Sequence, residues 1–210
     1  MAVYQNLQAI LAASLARSPQ KIAIRCGGQS VTYAELDRLT RALAGALVAR
    51  GVKPQDRVAW FLPNGLEAVL TTLACYRIGA VSLPLNYRYL APEAKYVMDY
   101  TAARVLIFHV DHADVVESLL GMIEPVDTII VDSDSNDRHH PFASLLRGGE
   151  LAENVPVQSD DPALILFTSG STGRPKGVVH SHASAFNGID ISLRLFDLTP
   201  ADVVLVGKPI

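Results

Sequence analysis

A chain of 210 residues, half of them hydrophobic, can bury a sizeable core as one domain or two small ones, and its apolar content excludes intrinsic disorder. Lys and Arg number 18 and Asp and Glu 21, so a net charge of -3 leaves no electrostatic footprint for nucleic acid or an anionic membrane. Charged residues make up 19%, below the ~25% of average domains, which implies an apolar-rich surface and suits a chain lacking a part that would cover it.

In chain order, Leu7, Ile10, Leu11 and Leu15 recur at helical spacing behind a candidate cap at Asn6. Residues 21–26 and 29–32 read as strands around Gly27-Gly28, a two-residue hairpin turn. Thr32 and Glu35 have capping-box spacing, and Leu36, Leu39, Leu43 and Leu47 carry the helix toward a stop at Gly51. Residues 57–62 form a buried strand, Pro63-Asn64 turns the chain, and a helix over 65–78 ends at Gly79. A short strand, 80–83, is closed by Pro84. A helix then starts at Pro92, with a strand at 104–109, a helix at 111–122 and a strand at 126–131. After a polar loop, 132–140, comes a short helix near 142–146 and a less regular connection to Asp160-Asp161-Pro162. An apolar strand at 163–167 leads into a loop, 168–177, and an extended segment, 178–180. Ser181 is placed to cap a helix reaching Phe196, and 203–206 reads as a last strand.

Strands alternating with helices point to an α/β fold: a layered, largely parallel sheet with helices on both faces. No apolar run reaches the ~18 residues a membrane helix needs, because Glu67 and Arg77 interrupt the longest candidate. No basic region precedes the first apolar stretch, so no secretory signal is expected. Cys26 and Cys75 lie outside any CxxC spacing and read as reduced thiols. A cytoplasmic protein is the expectation.

The chemistry-bearing stretch is Phe167-Thr168-Ser169-Gly170-Ser171-Thr172-Gly173-Arg174-Pro175-Lys176-Gly177, directly after a buried strand. Glycines let a backbone approach a ligand closely, and successive N–H groups in such a turn form an anion-binding concavity. Hydroxyls add donors for phosphate oxygens or lone pairs for a hydrated cation, and Lys176 supplies positive charge. A Walker loop is excluded, because Arg174-Pro175 separate Gly173 from Lys176 and Gly177 follows the lysine. No G-x-G-x-x-G opens a helix after a strand, so a Rossmann fingerprint is excluded as well.

The full ordered string resembles the phosphate-binding signature of the adenylate-forming superfamily, which comprises acyl- and aryl-CoA synthetases, luciferases and peptide-synthetase adenylation domains. Thr32-Tyr33-Ala34-Glu35-Leu36 and the stretch from Leu73 to Arg88 resemble two further motifs of that family. The Pro84-Leu85-Asn86-Tyr87-Arg88 ending is more similar to acyl-CoA synthetases than to peptide-synthetase domains, and Ser181-His182 matches a Ser/Thr-His pair that follows the loop.

The resemblance implies activation of a carboxylic acid with ATP and Mg2+ to an acyl-adenylate and pyrophosphate, then transfer of the acyl group to CoA. Thr168, Ser169, Gly170, Ser171, Thr172 and Gly173 would cradle the β- and γ-phosphates. Thr168 and Thr172 are the candidates for the Mg2+ shell, Lys176 would neutralise the departing pyrophosphate, and His182 is a candidate neighbour of the active site. The role is positioning and charge stabilisation. Family members are more than twice this length. Residues 1–210 are then expected to be a partial N-terminal AMP-binding domain, ending before the adenine-binding motifs and the C-terminal lid domain, with no complete catalytic set. Such a piece is expected to be inactive alone and to self-associate through apolar surface. The alternative is a shortened relative that serves as a non-catalytic binding or assembly module.

Other polar residues carry plainer expectations. His109 and His112 are placed at a strand end and helix start rather than on a metal, and His139-His140 in a solvated loop. Tyr87, Tyr89, Tyr96 and Tyr100 are expected to pack the sheet and helices.

Overall fold

Alternating burial along the strands sets the architecture of the computed structural model, which describes residues 6–133, 139–149, 151, 153–168 and 175–207. The first helix, α1 (Gln8–Arg17), starts with the Ala9 N–H donating to Asn6 Oδ1 at 3.2 Å. The hairpin of β1 (Ile22–Cys26) and β2 (Gln29–Thr32) turns on Gly27 and Gly28, whose φ values of 54° and 79° are the pair a tight primed turn requires. Thr32 and Glu35 close a capping box at the start of α2 (Tyr33–Ala49). The chain continues through β3 (Arg57–Phe61), α3 (Leu66–Ile78), β4 (Val81–Pro84), α4 (Ala91–Thr101) and β5 (Val105–His109). Gly79 ends α3 at φ 67°, a conformation that a side chain would strain.

Beyond β5, the helix expected over 111–122 begins as a 3-10 turn, Val110–His112, because His109 Nδ1 accepts the Asp111 N–H at 3.2 Å. It relaxes into α5 (Ala113–Leu120) and is followed by β6 (Asp127–Val131), β7 (His140–Pro141) and α6 (Phe142–Leu145). The last regular elements are β8 (Pro162–Thr168), β9 (Lys176–Ser181) and α7 (His182–Leu195), where Ser181 accepts the Ser184 N–H at 3.2 Å.

Among the described residues the main sheet has seven strands in the order β7-β6-β5-β3-β4-β8-β9. All neighbours run parallel except β8 and β9, which are antiparallel. The period of two is visible in the core. Val58, Trp60, Val105, Ile107, Ile129 and Val131 join α1, α2, α3 and α6, whereas Ala59, Phe61, Leu106, Phe108 and Ile130 join α4 and α5 on the other face. The expectation of helices on both faces of a largely parallel sheet is met.

Residues 203–206 are not a strand. Their side chains are 60% to 94% exposed, and among the described residues no strand pairs with them. The polar segment before α6 also differs from a plain loop, since His140 and Pro141 pair with Ile129 and Ile130 to add a short parallel strand.

The topology reverses at β3 and β4. From β3 the chain leaves through α3, packed on one face, to reach β4; from β4 it leaves through α4, packed on the other, to reach β5 on the far side of β3. Neighbouring strands whose connections diverge to opposite faces leave a crevice beyond their C-terminal ends, where α/β sheets bind ligands.

Candidate functional site

That crevice is occupied by an open cleft of about 790 Å3. Leu62, Pro63 and Asn64 follow β3 into one wall, Pro84 at the end of β4 and the residues after it to Arg88 form another, and Leu166 and Phe167 of β8 with Gly207 complete it. The β4–α4 wall is fixed locally: Asn86 Oδ1 accepts the Arg88 N–H at 3.0 Å, and the Asn86 carbonyl accepts the Tyr89 N–H at 2.9 Å.

Thr168 ends β8 on the same edge, and the antiparallel register sets it opposite Lys176, the first residue of β9. Its hydroxyl donates to the Lys176 carbonyl at 3.5 Å. Both side chains are exposed. Ser169, Gly170, Ser171, Thr172 and Gly173, the rest of the expected phosphate cradle, lie outside the described residues. Gly177 is required by packing: a Cβ there would stand 3.0 Å from Phe167 Cζ and 3.3 Å from Ile165 Cγ2. The glycine thus leaves room for the ring that lines the cleft.

The hairpin carries His182 away from this edge, which corrects its expected place beside the site. Ser181 registers with Pro162, at the other end of a seven-residue strand from Thr168, and the His182 N–H donates to the Asp161 carbonyl at 3.0 Å. The imidazole is fully buried. Its Nδ1 accepts the Leu7 N–H at 3.4 Å and its ring meets Tyr76 edge-on at 5.7 Å, which ties α1 to α3 and α7. Burial lowers its proton affinity, partly offset by Asp161. This is a structural histidine.

Two histidines sit in surroundings that their sequence positions did not indicate. His112 is buried, stacked flat on Phe61 at 4.0 Å and 4°, with Tyr87 edge-on at 4.5 Å and 76°. His139, expected in solvent, is buried instead: Nδ1 pairs with Thr128 Oγ1 at 2.8 Å and Nε2 with Glu117 Oε1 at 3.1 Å. Tyr87 and Tyr100 pack less than expected, at 45% and 71% exposure. Tyr100 still meets Tyr96 at 5.9 Å and Phe167 at 6.3 Å. Among the described residues no cluster of three His, Cys, Asp or Glu side chains could hold a metal ion, and no helix is long and apolar enough to cross a membrane. Burial pushes the Cys75 thiol up to about 12, which favours its protonated form.

A largely parallel sheet with its cleft at the reversal point, and Thr168 and Lys176 on the same edge, defines an α/β protein of the doubly wound kind. The family model of AMP-binding enzymes matches residues 11–210, and the chain belongs to that family. A feruloyl-CoA synthase of an Amycolatopsis species is 36% identical over 195 residues, covering 92% of this chain and 37% of that enzyme. A medium/long-chain-fatty-acid–CoA/3-oxocholest-4-en-26-oate–CoA ligase of Mycobacterium tuberculosis is 30% identical over 192 residues, 89% of this chain and 35% of that one. The crystal structure of apo MatB from Rhodopseudomonas palustris has a TM-score of 0.83 at 30% identity, over 98% of this chain and 40% of that one. The chain therefore spans little more than a third of the length of these curated relatives, within their N-terminal portion.

Proposed function

We propose that this chain is the phosphate-holding N-terminal part of an ATP-dependent acid–thiol ligase, the enzyme class that converts a carboxylic acid, ATP and CoA to an acyl-CoA through an acyl-adenylate. The observation that supports it is the pairing of Thr168 with Lys176 on the C-terminal edge of the sheet, beside the cleft at the reversal point. Thr168 and Lys176, near the two ends of the 168–177 string, lie there. A hydroxyl and an ammonium suit phosphate oxygens in chemistry and in charge. Lys176 would balance charge as pyrophosphate departs, and Thr168, with Thr172, would bind phosphate or a water of Mg2+.

Calorimetric titration with magnesium pyrophosphate tests this. The 210-residue chain is expected to bind it weakly, with Lys176→Ala losing about tenfold, the effect of one charge-assisted contact. Equal binding by the variant would reject the assignment. The chain alone is expected to show no carboxylate-dependent ATP–pyrophosphate exchange, and robust exchange would overturn that part.

A second reading, a binding or assembly module, draws on exposed apolar side chains. Val179 of β9, Ile191 and Leu195 of α7, and Phe196 are 58%, 62%, 74% and 69% exposed, and β9 is the outermost strand of the sheet among the described residues. Such a surface is expected to drive self-association. Sedimentation velocity should show a weight-average mass that rises with concentration; a monodisperse monomer over the whole range would refute it.

A further inference from the structure

We propose that His112 is a positioning residue of the cleft: as a neutral ring laid on Phe61 it holds Tyr87 in the cleft wall, and gaining a proton releases Tyr87. The inference goes beyond the phosphate-holding role and holds whatever ligand the cleft takes.

Three rings are stacked from the core outward. Phe61 is fully buried at the end of β3, His112 lies parallel to it at 4.0 Å, and Tyr87 closes the stack edge-on at 4.5 Å while lining the cleft. The Asn86 turn pins the backbone on either side of Tyr87, so the freedom left to that residue is rotation of its side chain. His112 supplies the surface against which the ring rests.

The same stack makes the arrangement depend on a proton. His112 Nε2 is buried with no hydrogen-bond partner. A neutral imidazole tolerates this with a bare lone pair at Nε2, whereas an imidazolium must place an N–H donor there with no acceptor to receive it. The titratable groups around the ring are Asp111 and His109 on its own segment and the Tyr87 phenol from the β4–α4 loop; Phe61 of β3 adds none. Burial disfavours the cation most, Asp111 favours it, and His109 disfavours it, leaving His112 harder to protonate than free imidazole. The Phe61 face attracts a cation. That attraction acts perpendicular to the ring and does nothing for the in-plane donor at Nε2. A protonated ring must therefore turn toward water, and Tyr87 is the group in its way. The native stack is complete above the ordinary imidazole range and is lost as pH falls through the lowered value.

The test is fluorine NMR on the chain labelled with 3-fluorotyrosine, with Tyr87 assigned by Tyr87→Phe, followed from about pH 8 to pH 5, where imidazoles titrate. As pH falls, the Tyr87 signal is expected to move toward the position of an exposed tyrosine, with the midpoint read from the His112 ring protons. In His112→Phe, which keeps the stack without a titrating group, the movement should be abolished and the signal should stay at its high-pH position. Asp111→Asn should shift both midpoints to lower pH together, on the native ring. A Tyr87 signal indifferent to pH, one that moves equally in His112→Phe, or a His112 midpoint above that of free imidazole would overturn the proposal. None of these readouts uses ATP or CoA, so their failure is distinct from failure of the ligase reading.

Discussion

Replacing Asp37 with alanine is expected to lower the unfolding free energy by roughly 3 kcal/mol or more, the range found when one partner of a buried ion pair is removed. Its partner Arg77 has a side chain only 6% exposed, and Asp37 one 18% exposed. All three nitrogens of the Arg77 guanidinium donate: Nη2 to Asp37 Oδ1, Nε to Thr40 Oγ1 at 2.9 Å and Nη1 to Asn154 Oδ1 at 2.9 Å. Asp37 Oδ2 also accepts from Arg41 Nε at 3.0 Å, and Arg41 in turn donates to the Leu151 carbonyl at 2.8 Å. The network thus ties α2 to α3 and to the connection that leads into β8. Without Asp37, a charge that burial already disfavours is left with neutral partners. Urea unfolding measures the loss, and a change below about 1 kcal/mol, the value of an exposed pair, would refute the buried role. The double variant Asp37→Leu with Arg77→Met should recover most of the stability, since replacing both charges with apolar groups removes the orphan.

What the residues disclosed, and what they withheld, divides by the range of the interactions involved. The Gly27-Gly28 turn and the Thr32–Glu35 capping box were readable because every group in them lies within a few positions. The phosphate-loop string was readable because its order is contiguous. His139 was misplaced by its polar surroundings: its partners, Thr128 on β6 and Glu117 on α5, are brought to it only by the packing of α5 against the sheet. His182 was misplaced for a different reason, and a signal was available. The segment between β8 and β9 is too short for the crossover that a parallel pair needs, so the strands must form a hairpin. A hairpin returns the chain to the Pro162 end and takes His182 with it. The cleft was legible only in part. Pro63-Asn64 read as a turn and Pro84 as the end of a short strand, and it takes the sheet order to show that the segments after these two strands meet across the reversal point. An apolar run such as 203–206 promises a strand only where a partner strand exists to pair with it.

Phe61 is where the core and the cleft meet, and Phe61→Ala is expected to cost about 3–5 kcal/mol, the range for emptying a buried aromatic site. The side chain is 0% exposed and packs with Leu83, Leu106 and Phe108 in the cluster between the sheet and α4 and α5. Close-packed neighbours on two adjacent strands cannot collapse into the space without moving the sheet, so most of the cavity should persist. Urea unfolding should show a lower midpoint with an unchanged slope; a loss below about 2 kcal/mol would mean that the site relaxes, as the mildest core truncations do. Truncation also removes the face on which His112 lies, so the Tyr87 fluorine signal should sit at the exposed position at every pH. Phe61→Leu separates the two effects. Leucine refills much of the volume and should restore most of the stability, yet it offers no ring for the imidazole to lie on. Recovered stability with Tyr87 still exposed would assign the order of the cleft wall to the ring stack itself. Recovery of both would make Phe61 a space-filling residue and leave the stack without a role.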